Sequence, residues 1–237
     1  MRLLDREEFM RCKASDTLAV MGCGYSINQI SMKQWNCIHN EFDSFGMNWY
    51  CNAGRNTTFY MVREQCVAPK KLEKGSMPHD LYRLLNEIDT TLIVKRNHGN
   101  ADNYYHVDHL DKYRHDGIVI DDHIGGCDAS SFYEDIFETG LRHGKCSIYD
   151  ALHFAVFMGY NNLIFCGVDL YDSRYFWLKP NETRDIVAND GNTFESKHPQ
   201  VKNTLNIIKN FMSFYPEISL RVQNPKSALA GIVKVFK

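Results

Sequence analysis

The chain lacks any long apolar run. Its longest candidate, ALHFAVFMGY at 151–160, contains His153 and falls well short of the ~20 residues that a membrane span requires. An excess of one charge is missing too: 27 Lys and Arg stand against 29 Asp and Glu, for a net charge of −2. That balance excludes a nucleic-acid-coating protein, because counterion release needs a dense basic face. The short basic clusters Lys70-Lys71 and Lys95-Arg96 read as solvated surface. The opening MRLLDREEFMRCK is charged throughout and has no signal-peptide core, which points to a cytoplasmic protein. None of the eight cysteines forms a C-x-x-C pair, so they read as reduced, buried small hydrophobes. The sequons at Asn56 and Asn181 are then chance matches.

What is present alternates. Short apolar runs at 18–21, 44–49, 58–62, 91–94, 118–120, 163–166 and 218–222 predict buried strands. Helical patterns lie between them. Residues 80–88 place Leu81, Leu84, Leu85 and Ile88 on one face, 130–140 start on serines and close on Gly140, and 147–159 carry a core stripe closed by Gly159. Residues 199–215 begin with Pro199 at a favoured first helical position. Strands alternating with helices predict an α/β fold: a single Rossmann-like domain over 1–237, with a mostly parallel sheet flanked by helices. The polar segment 172–197 breaks the rhythm and is long for a simple connection, so it reads as a lid or binding segment.

Four stretches hold candidate chemistry. In TLAVMGCGYSINQI (17–30) a strand leads into Gly22-Cys23-Gly24 and a turn at Tyr25-Ser26, a form suited to a phosphate or ribose. Ile27 stands where a dinucleotide motif has its third glycine, and Walker A chemistry is absent, although Asp43 lies at the distance of the dinucleotide motif's acid. In FCGVDLYDSRYFW (165–177) a strand ends at Gly167 and presents Asp169, Tyr171 and Tyr175. The two phenols suit a phosphate and the carboxylate a ribose hydroxyl; the plainer reading is aromatics closing the core. His198 directly precedes a helix, where the dipole favours neutral imidazole; the plainer reading is a cap. The run from His106 to Asp116, with Asp121, Asp122 and His123 beyond it, resembles metal ligands in composition but lacks their order, so no metal is expected.

Together these stretches resemble the small bacterial sialyltransferases that use CMP-sialic acid. LAVMGCGYSINQI is similar to that family's strand-Gly-Asn-Gly-Pro-Ser-Leu opening, and DSFGMNW to the strand that places an asparagine, here Asn48, near the nucleotide. CSIYDALHFAVFMGYNNLIFCGVDLYDSRYFW resembles its central block. HPQVKNT stands in the place of its His-x-x-x-Asn-Thr segment, and QNPKSALA in that of its closing region. The resemblance is strongest over 144–237 and does not extend to about 60–140. Two positions depart from it: the family's loop asparagine is Cys23 here and its proline is Tyr25.

The resemblance implies a metal-independent glycosyltransferase with no cofactor. It would transfer an acidic keto-sugar, sialic acid or Kdo, from a CMP-activated donor to the hydroxyl of a glycan acceptor. Gly22, Cys23, Gly24 and Ser26 would lie beneath the nucleotide, with Asn48, Cys146, Ser147, Gly167 and Asp169 around the cytidine and ribose. Tyr171 and Tyr175 would hold the departing phosphate, and His198 would be the general base. Bacterial Kdo transferases share this core more distantly, and for them a carboxylate nucleophile, Asp150 or Asp169, is the alternative. Pterin pyrophosphokinase-like enzymes using ATP and magnesium also share it, and a non-catalytic nucleotide-sugar module is a third reading. The family is often tetrameric, which implies a homo-oligomer. The tail GIVKVFK alternates apolar and basic residues, which suits the inner membrane face, though a last strand is the plainer reading.

Overall fold

A computed structural model describes residues 1–62, 78–97, 107, 109–124, 132–143, 146–170, 174–178 and 199–237. For 78–80, 97, 122–124, 143 and 199–201 it describes the backbone alone. The strands are β1 (Arg2–Leu3), β2 (Thr17–Met21), β3 (Asp43–Met47), β4 (Phe59–Val62) and β5 (Thr91–Asn97), then β6 (Asp116–Ile124), β7 (Leu141–His143), β8 (Asn162–Cys166), β9 (Ser219–Val222) and β10 (Lys234–Val235). The helices are α1 (Arg6–Met10), α2 (Met32–Asn40), α3 (Pro78–Asn86), α4 (Ile136–Thr139), α5 (Ser147–Phe157) and α6 (Pro199–Phe214).

All ten strands belong to one sheet, in the order β1-β6-β5-β4-β3-β2-β8-β9-β10, with β7 also paired to β6. Every pairing is parallel. From β2 the chain steps outward through β3, β4 and β5 to β6, then returns to place β8 on the other side of β2. The crevice between the carboxyl ends of β2 and β8 is therefore the topological switch point, where such sheets bind ligands. The expected α/β architecture is the observed one.

Both faces of the sheet are covered, which is why its strands read as nearly continuous apolar runs. Leu18 and Val20 of β2 enter one core cluster, with Phe45, Ile93, Leu163 and Phe165. Ala19 and Met21 enter the other, with Leu92, Val94, Ile164 and Cys166. Phe154 of α5 stands at the centre of the first cluster. Its ring lies 4.8 Å from Phe45, 5.0 Å from Phe59 and 6.2 Å from Phe9. Aromatic pairs of this kind add about 0.5–1.5 kcal/mol each beyond burial, and they lock α5 onto the sheet.

Several local expectations need correction. The strand expected over 44–49 ends at Met47, and Asn48 turns away at φ 55°. The helix expected over 130–140 begins only at Ile136. Its N-cap is Asp135, whose side chain accepts from Phe137 N, while Gly140 closes it at φ 77°. Residues 6–10 and 32–40 are helical, each opened by a capping box, Asp5 with Glu8 and Ser31 with Gln34. Lys95 is not solvated surface: its side chain is wholly buried and paired with Asp150. The tail does end in a strand, β10 beside β9. Among the described residues no helix is long and apolar enough to cross a membrane.

Candidate functional site

The loop after β2 is shaped by its neighbour, the loop after β8. Gly22 N donates to Cys166 O at 2.7 Å and Gly24 N to Gly167 O at 2.8 Å, so the pairing of β2 with β8 continues past both strands. A side chain at any of the three glycines would collide. A Cβ on Gly24 would lie 2.5 Å from Asp169 Oδ2, and one on Gly167, whose φ is 65°, would lie 2.7 Å from Ile27. The glycines that suggested a nucleotide cradle are thus required first by this close approach.

Asp169 ties three loops together. Its Oδ2 accepts from Ser26 N at 2.9 Å and its Oδ1 from Asn224 Nδ2 at 3.0 Å, and the residue is 4% exposed. Asn224 follows β9, and Ser227 Oγ braces the same loop by donating to Val168 O at 2.6 Å. Asn224 belongs to QNPKSALA, the stretch matched to the family's closing region, but the resemblance gave it no role of its own. The Ser26 hydroxyl is completely buried beside this carboxylate and has no hydrogen-bond partner among the described residues. Directly after Asp169, Leu170 adopts φ 58°, a left-handed conformation that costs about 1–3 kcal/mol for a residue of this kind.

Asn48 is exposed at the carboxyl end of β3, and its left-handed turn is one that asparagine tolerates. Tyr60 holds that turn from below: its hydroxyl donates to Asn48 O at 2.6 Å and accepts from Cys51 N at 3.1 Å. Gly46 makes room for the ring, since a Cβ there would lie 2.5 Å from Tyr60 Cδ2. Above it, Ser147 Oγ donates to Asn48 Oδ1 at 3.1 Å, joining residues 99 positions apart. Ser147 opens α5, whose N-cap residue Cys146 supplies no side-chain cap. The amino end of α5, where a helix favours an anion, therefore sits over the carboxyl edge of the sheet. Burial pushes the Cys146 thiol pKa up. The Cys23 thiol is also inward, donating to Met47 O at 3.7 Å.

Residues 174–178 lie against the Gly22–Gly24 loop. Tyr175 forms an antiparallel bridge with Gly24, Phe176 N donates to Cys23 O at 3.1 Å, and Asn28 Nδ2 donates to Phe176 O at 2.6 Å. Tyr25 has its own task here, with the Arg174 guanidinium 4.0 Å over its ring. Tyr171 and His198 lie outside the described residues, as does the expected lid over 172–197 apart from 174–178.

Two alternative roles fail on geometry. Asp43 begins β3, at the opposite edge from the switch point, and its Oδ2 accepts from Ala14 N, Ser15 N and Tyr160 OH. It is not the acid of a dinucleotide site. Asp150 is wholly buried in its pair with Lys95, and both oxygens of Asp169 are engaged, so neither stands as an open nucleophile. Among the described residues no group of three His, Cys, Asp or Glu could hold a metal. His115 contacts Leu85 O, Asp116 pairs with Arg2 and Asp121 with Arg96, while His106 and Asp108 lie outside the described residues.

No family model matches the chain, and no curated protein matches it. Solved structures do resemble it. Cst-I from Campylobacter jejuni, a monofunctional alpha-2,3-sialyltransferase, shares 14% identity over 99% of this chain and 82% of its own, with a TM-score of 0.52. The sialyltransferase CstII from Campylobacter jejuni, solved with cytidine-5'-monophosphate, shares 15% identity over 92% of this chain and 84% of its own, with a TM-score of 0.45. The likeness to Cst-I is one of fold.

Proposed function

We propose that the chain is a glycosyltransferase that moves an acidic keto-sugar, of the sialic acid or Kdo class, from a CMP donor to a glycan hydroxyl. The observation that carries this reading is the hydrogen bond between Asn48 and Ser147 at the carboxyl edge of the sheet. Both were assigned to the nucleotide from separate motifs, and they meet beside the switch point formed by Gly22, Gly24, Gly167 and Asp169. The fold shared with a sialyltransferase supports the same reading.

In this mechanism the exposed Asn48–Ser147 pair meets the cytidine or ribose, and the amino end of α5 serves the donor phosphate. Tyr171 and Tyr175 donate phenolic hydrogen bonds to the leaving group. CMP leaves with a single phosphate, a smaller charge than the diphosphate that usually calls for a divalent ion. His198 takes the proton of the acceptor hydroxyl as its oxygen bonds to the anomeric carbon. The bond from that carbon to the phosphate oxygen breaks, and the electron pair departs with CMP. The engagement of Asp150 and Asp169 supports direct attack with inversion.

A thermal-shift panel tests the reading: CMP, CDP, UDP and ATP with magnesium, each with and without EDTA. CMP at ~100 times its dissociation constant stabilises by about 2.7 kcal/mol, and the expected shift is indifferent to EDTA. Ser147→Ala, which removes the hydroxyl that meets Asn48, is expected to reduce the CMP shift. A response to ATP with magnesium alone assigns the pyrophosphokinase-like chemistry instead. No response to any nucleotide, with the fold intact, assigns a non-catalytic module.

A further inference from the structure

A cavity of about 420 Å³ is lined in part by Asn28, Trp35, Ala53, Arg55, Phe176 and Trp177. Its size is that of a small-ligand pocket. Gly54, at φ 59°, turns the chain after the 50–53 turn and delivers Arg55 to the cavity. The Arg55 guanidinium lies 4.0 Å over the Trp35 ring, and His39 stacks on Trp35 at 5.3 Å. Trp35 is only 6% exposed, so the platform beneath the guanidinium is fixed.

Among the described residues nothing neutralises the charge on Arg55: its one side-chain hydrogen bond there is to His39 Nε2 at 3.3 Å, and no carboxylate pairs with it. Burial, and then Arg55 itself, lower the His39 pKa, so that imidazole is neutral and accepts from the guanidinium. A planar cation held flat on an indole, with further donors at its edge, is preorganised for an oxyanion. Trp177 adds a second indole, stacked on Tyr175 at 4.3 Å and edge-on to Phe176 at 5.0 Å. Asn28 spends its amide on Phe176 O, which leaves its side-chain oxygen as an acceptor for a hydroxyl. An electron-rich indole face attracts the weakly positive C–H groups of a sugar ring. Among the described lining residues there is no acid to repel an anion.

We propose that this cavity is a binding site for an anionic sugar, a pyranose bearing a carboxylate or a phosphate, with Arg55 on the acid group, Trp177 against the ring and Asn28 on a hydroxyl. The inference does not depend on the nucleotide assignment, because none of the residues placed around the nucleotide lines the cavity. The two sites still share a wall: Tyr175, bridged to Gly24, and Trp177 stack on each other within one short segment.

The test is intrinsic fluorescence, since two of the chain's three tryptophans line the cavity. The whole chain is titrated with glucuronate, glucose 6-phosphate and glucose, alone and with saturating CMP. The proposal expects saturable quenching by at least one acidic sugar, none by glucose, and no displacement by CMP. Which acid saturates identifies the anion. Arg55→Gln should weaken binding by about tenfold or more, the loss of a charged hydrogen bond. Ala53→Asp, which sets a carboxylate in the cavity wall, should abolish it and serves if Arg55→Gln does not fold. Equal response to all three sugars, no saturation, unchanged binding in both variants, or displacement by CMP would overturn the proposal.

Discussion

The backbones of Gly22 and Gly167 touch: a Cβ on Gly22 would lie 2.5 Å from the Gly167 carbonyl oxygen, and Gly167's own Cβ would lie 2.9 Å from that of Gly22. Neither partner can yield, because each lies in the backbone hydrogen bonding that extends β2 along β8. Gly22→Ala is therefore expected to destabilise by roughly 1–3 kcal/mol, the cost of overpacking a rigid contact. It should also reduce any CMP shift, since the loops around the switch point move together. Gly231→Ala is the control, with nothing within 4 Å of the added Cβ. Its melting temperature should match the parent's.

The buried pair of Lys95 and Asp150 joins β5 to the first turn of α5, with both side chains fully buried. Removing one partner takes a paired charge away from the other in the core. Lys95→Met alone is expected to cost about 3–5 kcal/mol, whereas Lys95→Met with Asp150→Leu should recover most of that loss. Urea unfolding of the two singles and the double variant measures the coupling. Additive losses would show that the pair does not act as a unit.

His153 gives acid sensitivity with a defined sign. It is completely buried, stacked on Phe132 at 5.2 Å, and its Nδ1 accepts from Arg142 N at 3.0 Å. Burial lowers its pKa from 6.5 to about 4. Above the unfolded value the ring is neutral in both states, so it imposes no penalty. As pH falls below that value the unfolded chain takes up the proton first, and stability is lost until the folded pKa is reached. Between about pH 7 and about pH 5 this amounts to about 2 kcal/mol. His153→Asn keeps an acceptor for Arg142 N without titrating, so its stability should vary less over that window.

Where a segment is buried on both faces, its identity was legible in the sequence. The apolar runs of β2, β4 and β8 announce themselves because nothing polar is tolerated on either side of a covered parallel sheet. The short elements were not legible. β1 and β7 exist only because β6 offers each of them a free stretch of edge. α1 buries Phe9 alone, and α2 buries only Trp35 and Ile38, too few positions to make a stripe. At the candidate site, Asn48 and Ser147, which the structure brings together, had been named from the family resemblance. Tyr60 was not, because its role depends on the space left by Gly46 one strand away. Lys95 misled for the same reason: its charge reads as solvent-facing until the carboxylate from α5 is in place.

The order of the strands also bears on how the protein is made. Ser26 meets its acceptor on Asp169, 143 positions later in the chain. At typical synthesis rates that gap lasts on the order of ten seconds. Strands β3 to β6 emerge meanwhile and have one another to pair with, but the β8 side of β2 waits with four of its five residues apolar and destined for the core. Such an unpaired strand is a template for self-association, so the nascent chain is at its most vulnerable before the ribosome has delivered β8.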